Sequence, residues 1–378
     1  MMMDNYGPTG RELSITQKLF EINWGLVMLL TVIAGIGIAM LYSVVGGSWQ
    51  PYALAQLTRF GIAILILVGV ALVDIRVWMS LAYPAYAIGL LLLVGVEIIG
   101  DTGKGATRWI TLGPLTLQPS EIMKIALVLA LARFMNARPR SQINHPFTLA
   151  PALLLILIPT ILVMHQPDLG TALLLLLCGA GMLFLGGLSW WYIGSAIMGA
   201  ICAIPLAWRV LKDYQKDRVL TFLDPSRDPM GAGYHTLQAK IGLGSGGLIG
   251  KGYLNSTQAR LDYLPEKHTD FIFTILGEEF GFIGTLTLLS LYALVLFYGM
   301  NIAYSSRNQF GRYVAMGMCL ILLLYVLINT AMVVGLIPVV GVPLPLVSYG
   351  GTAIMTIMFG MGLLMSVYVH RHVEMKRA

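Results

Sequence analysis

Ten apolar runs, most of them about twenty residues long, divide this chain, and roughly 20 apolar residues is what an α-helix needs to cross a bilayer. The runs cover residues 24–45, 54–73, 78–99, 121–136, 147–165, 169–187, 190–210, 270–301, 313–336 and 352–369, the fourth being short. Inside hydrocarbon a segment must satisfy its own backbone hydrogen bonds, so such runs are expected to be helices. Composition points the same way. Hydrophobic residues make up 57% of the chain and charged ones 11%, against roughly 25% charged in a soluble domain. The expected fold is an all-α polytopic membrane protein, with ten transmembrane helices in a single integral membrane domain over 1–378. Residues 1–22 hold Asp4, Arg11, Glu12, Lys18 and Glu21, and no cleavable leader pattern is expected there. Cys178, Cys202 and Cys319 all lie inside apolar runs, where reduced packing residues are expected rather than a disulfide. The net charge of +6 reads as membrane orientation, not as a nucleic-acid surface.

An even number of spans puts both termini on one side, and basic residues choose the side. With a cytoplasmic N-terminus, the inner segments hold Arg11, Lys18, Arg76, Arg133, Arg138, Arg140, Arg307, Arg312, Arg371, Lys376 and Arg377. The short outer loops then hold only Lys104 and Arg108. This satisfies the positive-inside rule, so both termini are expected in the cytoplasm. The loops 100–120 and 337–351 and the turn Gln166-Pro167-Asp168-Leu169-Gly170 then share the outer face.

That face also receives the one long polar stretch, residues 212–269, an extracytoplasmic loop between the seventh and eighth runs. It carries eight Lys or Arg and six Asp or Glu, and it ends against Asp270 at the mouth of a membrane helix. In a chain so adapted to lipid, such a segment reads as the place where membrane-bound substrate meets chemistry. Within it, Gly242-Leu243-Gly244-Ser245-Gly246-Gly247 matches G-x-G-x-x-G, but the strand, helix and distal acid of a dinucleotide site are not apparent around it. Gly250-Lys251-Gly252 lacks the Ser or Thr of a phosphate-binding loop. These glycines are expected to let backbone approach a ligand or a neighbouring helix.

Charges at membrane depth are costly and mark function by default. Glu121 and Lys124 sit three apart at the start of the fourth run, on one helix face. Ser120 offers an N-cap, and the helix dipole favours the Glu121 anion. A helix-starting ion pair explains Glu121 as well as a site role does, but a lysine one turn into lipid must face protein or water. Asp168, after Pro167, occupies a cap-like position at the sixth run. Glu278 and Glu279 are rotated by about 80° and 180° from Asp270 along a helix, so at most one shares its face and both read as structural. His370 and His372, in a basic tail, read as a solvated end rather than a metal site. No internal repeat is apparent, which weighs against a transporter built from repeats.

Several blocks taken together resemble one family. They are Lys104-Gly105 with Arg108-Trp109, Gln118-Pro119-Ser120-Glu121, the turn 166–170, and Asp224-Pro225-Ser226 through Gly231-Ala232-Gly233-Tyr234-His235. The longest is Leu264-Pro265-Glu266-Lys267-His268-Thr269-Asp270-Phe271-Ile272-Phe273. Near the C-terminus come Asn329, Gly335-Leu336-Ile337-Pro338, Gly341, Pro343-Leu344-Pro345-Leu346 and Ser348-Tyr349-Gly350-Gly351. Over nearly its whole length the chain resembles the SEDS (shape, elongation, division and sporulation) family. The resemblance implies a peptidoglycan glycosyltransferase of the bacterial inner membrane that polymerises lipid II for cell elongation and rod shape. It implies work beside a class B penicillin-binding transpeptidase and other elongation-complex proteins. It maps the family's essential acid onto Asp270 and its sensitive outer-face residues onto Arg108, Glu121, Lys124 and Asp168.

Lipid II carries its sugar through an α-linked pyrophosphate, whereas the glycan is β-1,4-linked, so one inverting displacement releases undecaprenyl pyrophosphate. Such a step needs a base for the acceptor hydroxyl and cations for the leaving group. Asp270 is the expected base, with Lys267 and His268 beside it to favour the anion and to contact substrate. Lys124 and Arg108 are the expected cations; Arg59, loop lysines or a divalent cation such as Mg2+ are further candidates. On the residues alone, Asp270 as a metal ligand or as a plain N-cap stays open. Two other functions compete: a flippase for lipid-linked precursors, and a non-enzymatic scaffold for a cell-wall transpeptidase.

Overall fold

The computed structural model describes residues 14–373 except 104–105, 113–114, 211–212, 225–226 and 229–230. Asp4, Arg11, Glu12, Lys104, Gly105, Pro225, Ser226, Lys376 and Arg377, named above, lie outside the described residues, as does residue 212 at the start of the polar stretch. In chain order the helices are α1 (Ile15–Phe20), α2 (Trp24–Val44), α3 (Ala53–Leu72), α4 (Ile75–Ile99), α5 (Pro119–Asn136), α6 (Pro146–His165) and α7 (Leu169–Gly186). They continue as α8 (Trp190–Val210), α9 (Asp213–Leu223), α10 (Ala232–Ser245), α11 (Thr257–Arg260), α12 (Ile272–Ser305), α13 (Gln309–Val333) and α14 (Gly351–Val369). Eight of them, α2, α3, α4, α6, α7, α12, α13 and α14, are long and apolar enough to cross a membrane. The chain is a polytopic helical membrane protein.

Helix α5 is different in kind. It carries Glu121, Lys124 and Arg133, and all its residues except Ile122 and Arg133 are buried. It packs against α4, α6, α7, α13 and α14. Protein rather than lipid therefore surrounds Glu121 and Lys124, which is how a helix at this depth tolerates them. Helix α8 has a shorter apolar stretch, Trp190–Pro205.

Contacts sort the helix ends. Glu21 pairs with Arg371 at 2.8 Å, Lys18 donates to the Leu72 carbonyl at 3.1 Å, and Arg133 donates to the Met79 carbonyl at 2.9 Å. The segments before the first membrane helix and after the last thus meet at one end of the bundle. At the other end lie the starts of α5, α7 and α14. There the loop 100–120 forms a three-stranded antiparallel sheet, β1 (Asp101–Gly103), β2 (Ala106–Leu112) and β3 (Leu115–Leu117). Among the described residues this small sheet is the departure from an all-helical expectation, and β2 is rich in the β-branched and aromatic residues that favour strands.

The polar stretch 212–269 folds into α9, α10 and α11 rather than running as an open loop. Its glycines approach a broken helix. α12 departs from helical geometry at Gly281 (φ 65°, ψ −158°), which strands carbonyls on one side of the break and amides on the other. The amides of Lys251 and Gly252 donate to the Glu278 and Glu279 carbonyls at 3.0 Å each. Those of Phe282 and Ile283 donate to the Gly247 and Leu248 carbonyls at 2.9 and 3.1 Å. A Cβ at Gly246 would stand 2.0 Å from the Gly277 oxygen, and one at Gly250 2.1 Å from the Glu279 oxygen. Close backbone packing, not nucleotide, is what this glycine string serves.

Glu278 locks the arrangement. Its fully buried carboxylate accepts from Lys251 Nζ at 2.6 Å, from the Thr257 and Gln258 amides at 3.0 and 3.2 Å, and from the hydroxyls of Ser256 and Thr257. Glu278→Ala orphans these donors together and is expected to cost about 2–3 kcal/mol. Thermal unfolding of the purified variant checks this; a melting temperature equal to wild type would contradict it.

Candidate active site

Six separate parts of the chain line one crypt of about 180 Å³: Arg108 from β2, Gln118, Glu121 and Lys124 at the start of α5, Asp168 before α7, Asp270 before α12, Tyr325 from α13, and Gly341 and Tyr349 from the loop between α13 and α14. The sequence-expected residues Arg108, Glu121, Lys124, Asp168 and Asp270 are all among them.

Pro119 takes the first helical position of α5, where its missing amide hydrogen costs nothing, so the cap is Gln118. Ser120, the expected cap, lies inside the helix. Glu121 remains in the first turn, where the dipole favours it. Lys124 Nζ lies 2.6 Å from Glu121 Oε1 and also hydrogen bonds the Tyr325 hydroxyl. That hydroxyl is 3.1 and 3.0 Å from the two Glu121 oxygens. Lys124, Glu121 and Tyr325 are 2%, 4% and 1% exposed, so the cation is held by buried partners rather than by water. Tyr325 is the member that sequence reasoning missed. The signal available was a tyrosine hydroxyl in the middle of an apolar run, which demands a partner.

Asp168 does cap α7, accepting from the Thr171 amide at 3.2 Å and the Thr171 hydroxyl at 2.9 Å. It also sits 3.8 Å from Arg108 Nε and 3.4 Å from the Gln118 amide nitrogen. Arg108 donates in addition to the carbonyls of Pro167 and Gln166. Capping and site architecture are thus one function here: the carboxylate that starts α7 also fixes the guanidinium at the crypt.

Asp270 is placed by stitching between two loops. Asn329 donates to the Asp270 and Val342 carbonyls at 3.0 and 2.8 Å, and the Ser348 hydroxyl donates to the Thr269 carbonyl at 2.6 Å. The Tyr349 amide donates to the His268 carbonyl at 2.9 Å. Phe271 is the N-cap of α12 and no side chain caps that helix, so the Asp270 carboxylate is not spent on capping it. Gly341, at φ 73°, comes so close that an added Cβ would lie 3.6 Å from Asp270 Oδ2. A positive φ costs a non-glycine residue about 1–2 kcal/mol, and the methyl itself would meet the carboxylate only at ordinary van der Waals distance, so backbone strain is what would shift the neighbouring carboxylate. Gly341→Ala is expected to lower turnover by roughly ten- to a hundredfold through misplacement; a wild-type rate in the purified variant would contradict this positioning.

Lys267 and His268 stand outside the crypt walls. The Lys267 ammonium is held by Asp262 Oδ1 at 2.5 Å and the Ala259 carbonyl at 2.6 Å, partners from α11 and its exit. It braces the turn that leads to Asp270. The His268 ring stacks on Tyr52 with centroids 4.3 Å apart. Among the described residues no group of three or more His, Cys, Asp or Glu side chains is placed to hold a metal ion. The cations lining the crypt are Arg108 and Lys124.

Beside the crypt runs a larger, mostly apolar groove of about 750 Å³ between α3, α4, α5 and α14. Gln118, Glu121 and Thr352 line both spaces, so the groove leads into the polar chamber. Arg59 stands on the groove wall with its guanidinium 4.7 Å from the Tyr349 ring centroid.

Residues 17–373 match the family model FTSW_RODA_SPOVE, described as cell cycle protein. The peptidoglycan glycosyltransferase MrdB of Escherichia coli strain K12 is 49% identical over 319 residues, covering 84% of this chain and 85% of that one. The stage V sporulation protein E of Bacillus subtilis strain 168 is 33% identical over 359 residues, covering 90% and 95%. Among solved structures, a chain of a peptidoglycan synthase complex, studied for the coordination of polymerization and crosslinking, matches with a TM-score of 0.82 at 33% identity, covering 93% of this chain and 99% of that one. The rod shape determining protein RodA of Thermus thermophilus matches with a TM-score of 0.71 at 30% identity, covering 93% and 98%.

Proposed function

This chain belongs to the FtsW, RodA and SpoVE family of cell cycle proteins, and from that premise we propose how its crypt makes glycan. The chain is a peptidoglycan glycosyltransferase, the activity for which its MrdB relatives are named. Its substrate is lipid II, whose carrier lipid brings the sugar to the bundle from the membrane. The observation that carries the reading is the convergence of Asp270, Arg108, Lys124 and their carboxylate partners on one chamber.

The acceptor's 4-hydroxyl oxygen attacks the anomeric carbon of the donor. As that bond forms, the hydroxyl proton passes to Asp270, and the bond from the anomeric carbon to the pyrophosphate oxygen breaks with inversion. Polyprenyl pyrophosphate leaves carrying the displaced electron pair, and Asp270 returns its proton to water. Developing charge on the leaving group is met by Arg108, which can grip phosphate oxygens with a fork, and by Lys124 as a point charge. Lysine has three N–H donors; Glu121 and Tyr325 engage two and orient the third. In a chamber this small and this shielded, fixed charges act with little screening.

Ten helices, α2 to α8 and α12 to α14, cross the bacterial inner membrane. Both termini are cytoplasmic and the crypt faces the outer compartment, in one integral domain. A class B penicillin-binding transpeptidase cross-links the product, a pairing supported by the likeness to a chain of a synthase complex. Purified protein given lipid II in detergent tests the activity, since polymer formation needs no membrane sides. A flippase or a scaffold would leave the lipid II unpolymerised.

A further inference from the structure

We infer that the apolar groove seats the carrier lipid of the glycosyl donor, the molecule whose pyrophosphate leaves, and not that of the acceptor. This deepens the glycosyltransferase reading above and rests on it. The groove is walled by Ile62, Leu81, Ile88 and Ile122 among others, and the first three are exposed at 53%, 43% and 56%. It is therefore open sideways, toward the hydrocarbon around the bundle, as an entering polyprenyl chain requires.

Its polar end decides which lipid sits there. Gln118 and Glu121 are shared with the crypt, and Lys124 stands directly behind Glu121. Arg59 stands on the same wall. Asp270 lines the crypt but not the groove. A carrier chain lying in the groove thus brings its pyrophosphate to the cationic side of the crypt, away from the base. In lipid II only one bond separates that pyrophosphate from the anomeric carbon, whereas a whole disaccharide separates it from the 4-hydroxyl. The atom such a lipid delivers into the small chamber is the electrophilic carbon. Its leaving oxygen lies by Lys124 and Arg108 in the crypt, with Arg59 on the groove wall, and Asp270 is left to serve a hydroxyl arriving from the opposite side, as an in-line displacement needs. An acceptor seated in the same groove would have its nucleophile a disaccharide's length from its own phosphate, past the chamber.

The test uses the full chain purified in detergent and two lipid II analogues. One is methylated at the 4-hydroxyl and serves only as donor. The other has a methylene in place of the anomeric oxygen and serves only as acceptor. Together they give a single tetrasaccharide. Ile122→Trp and Met355→Trp fill the groove from α5 and α14, at positions that line the groove and not the crypt. Each is expected to raise KM for the donor analogue about tenfold, what ~1.4 kcal/mol of lost packing amounts to, with KM for the acceptor analogue unchanged. That unchanged KM also reports an intact fold. A rise for the acceptor alone, an equal rise for both, or no rise for either would overturn the assignment. Should the variants not fold, wild-type protein labelled by a photoreactive tail decides: the donor analogue is expected to mark α5 and α14 and the acceptor analogue is not, and the reverse or equal labelling overturns it. Failure of the glycosyltransferase reading looks different, since wild-type protein would then form no tetrasaccharide at all.

Discussion

Lys124→Ala is expected to lose both stability and activity, and the two losses are separable. The substitution removes the only cation bonded to Glu121 among the described contacts and leaves a 4%-exposed carboxylate against a fully buried tyrosine hydroxyl. Breaking one side of a buried ion pair costs about 3–5 kcal/mol, because the remaining charge keeps its desolvation penalty. Replacing both sides by apolar residues of similar size avoids that penalty. Lys124→Met with Glu121→Leu removes the unpaired charge but leaves the buried Tyr325 hydroxyl without either partner, so it is expected to melt above Lys124→Ala and below wild type and still make no glycan, because the phosphate has lost its buried cation. Melting temperature and polymerisation rate, read on the single and double variants, separate the outcomes. A double variant that polymerises at the wild-type rate would reduce Lys124 to a packing device.

Much of the bundle was legible in the sequence because each membrane helix announces itself by length and apolarity alone. The ten runs coincide with helices, α2 to α8 and α12 to α14, with ends shifted by a few residues, and eight of these are long and apolar enough to cross a membrane. What escaped depended on partners far away in the chain. The break in α12 at Gly281 was invisible because a single glycine inside a long helical run does not mark one, and the groups that satisfy the break, Gly247 to Gly252, lie some thirty residues upstream. Tyr325 was missed for the same reason: its hydroxyl is paired with residues about two hundred positions away. Where the Lys267 side chain goes could not be read from its adjacency to Asp270, since the turn carries its ammonium toward Asp262 and α11. In the site itself, Arg108, Glu121, Lys124, Asp168 and Asp270 stood out as charges in an apolar chain or through the family resemblance, and their common chamber is a property of the fold.

Asp270→Asn is expected to leave the protein folded and catalytically dead. The variant keeps the size of the side chain and the backbone bonds from Asn329 and around Ser348 that hold the turn. α12 loses no cap, because Asp270 does not cap it. What changes is the ability to take a proton. Loss of a general base costs about 10²–10⁴ in rate, so polymer should fall below detection in an ordinary time course. Asp270→Ala should behave alike, whereas a scaffold would be indifferent to either change. Glycan yield from lipid II, measured on purified wild type beside Asp270→Asn at matched melting temperature, is the most direct measurement. Wild type is expected to build polymer while the asparagine variant builds none; polymer from the variant at the wild-type rate would show that Asp270 is not the base.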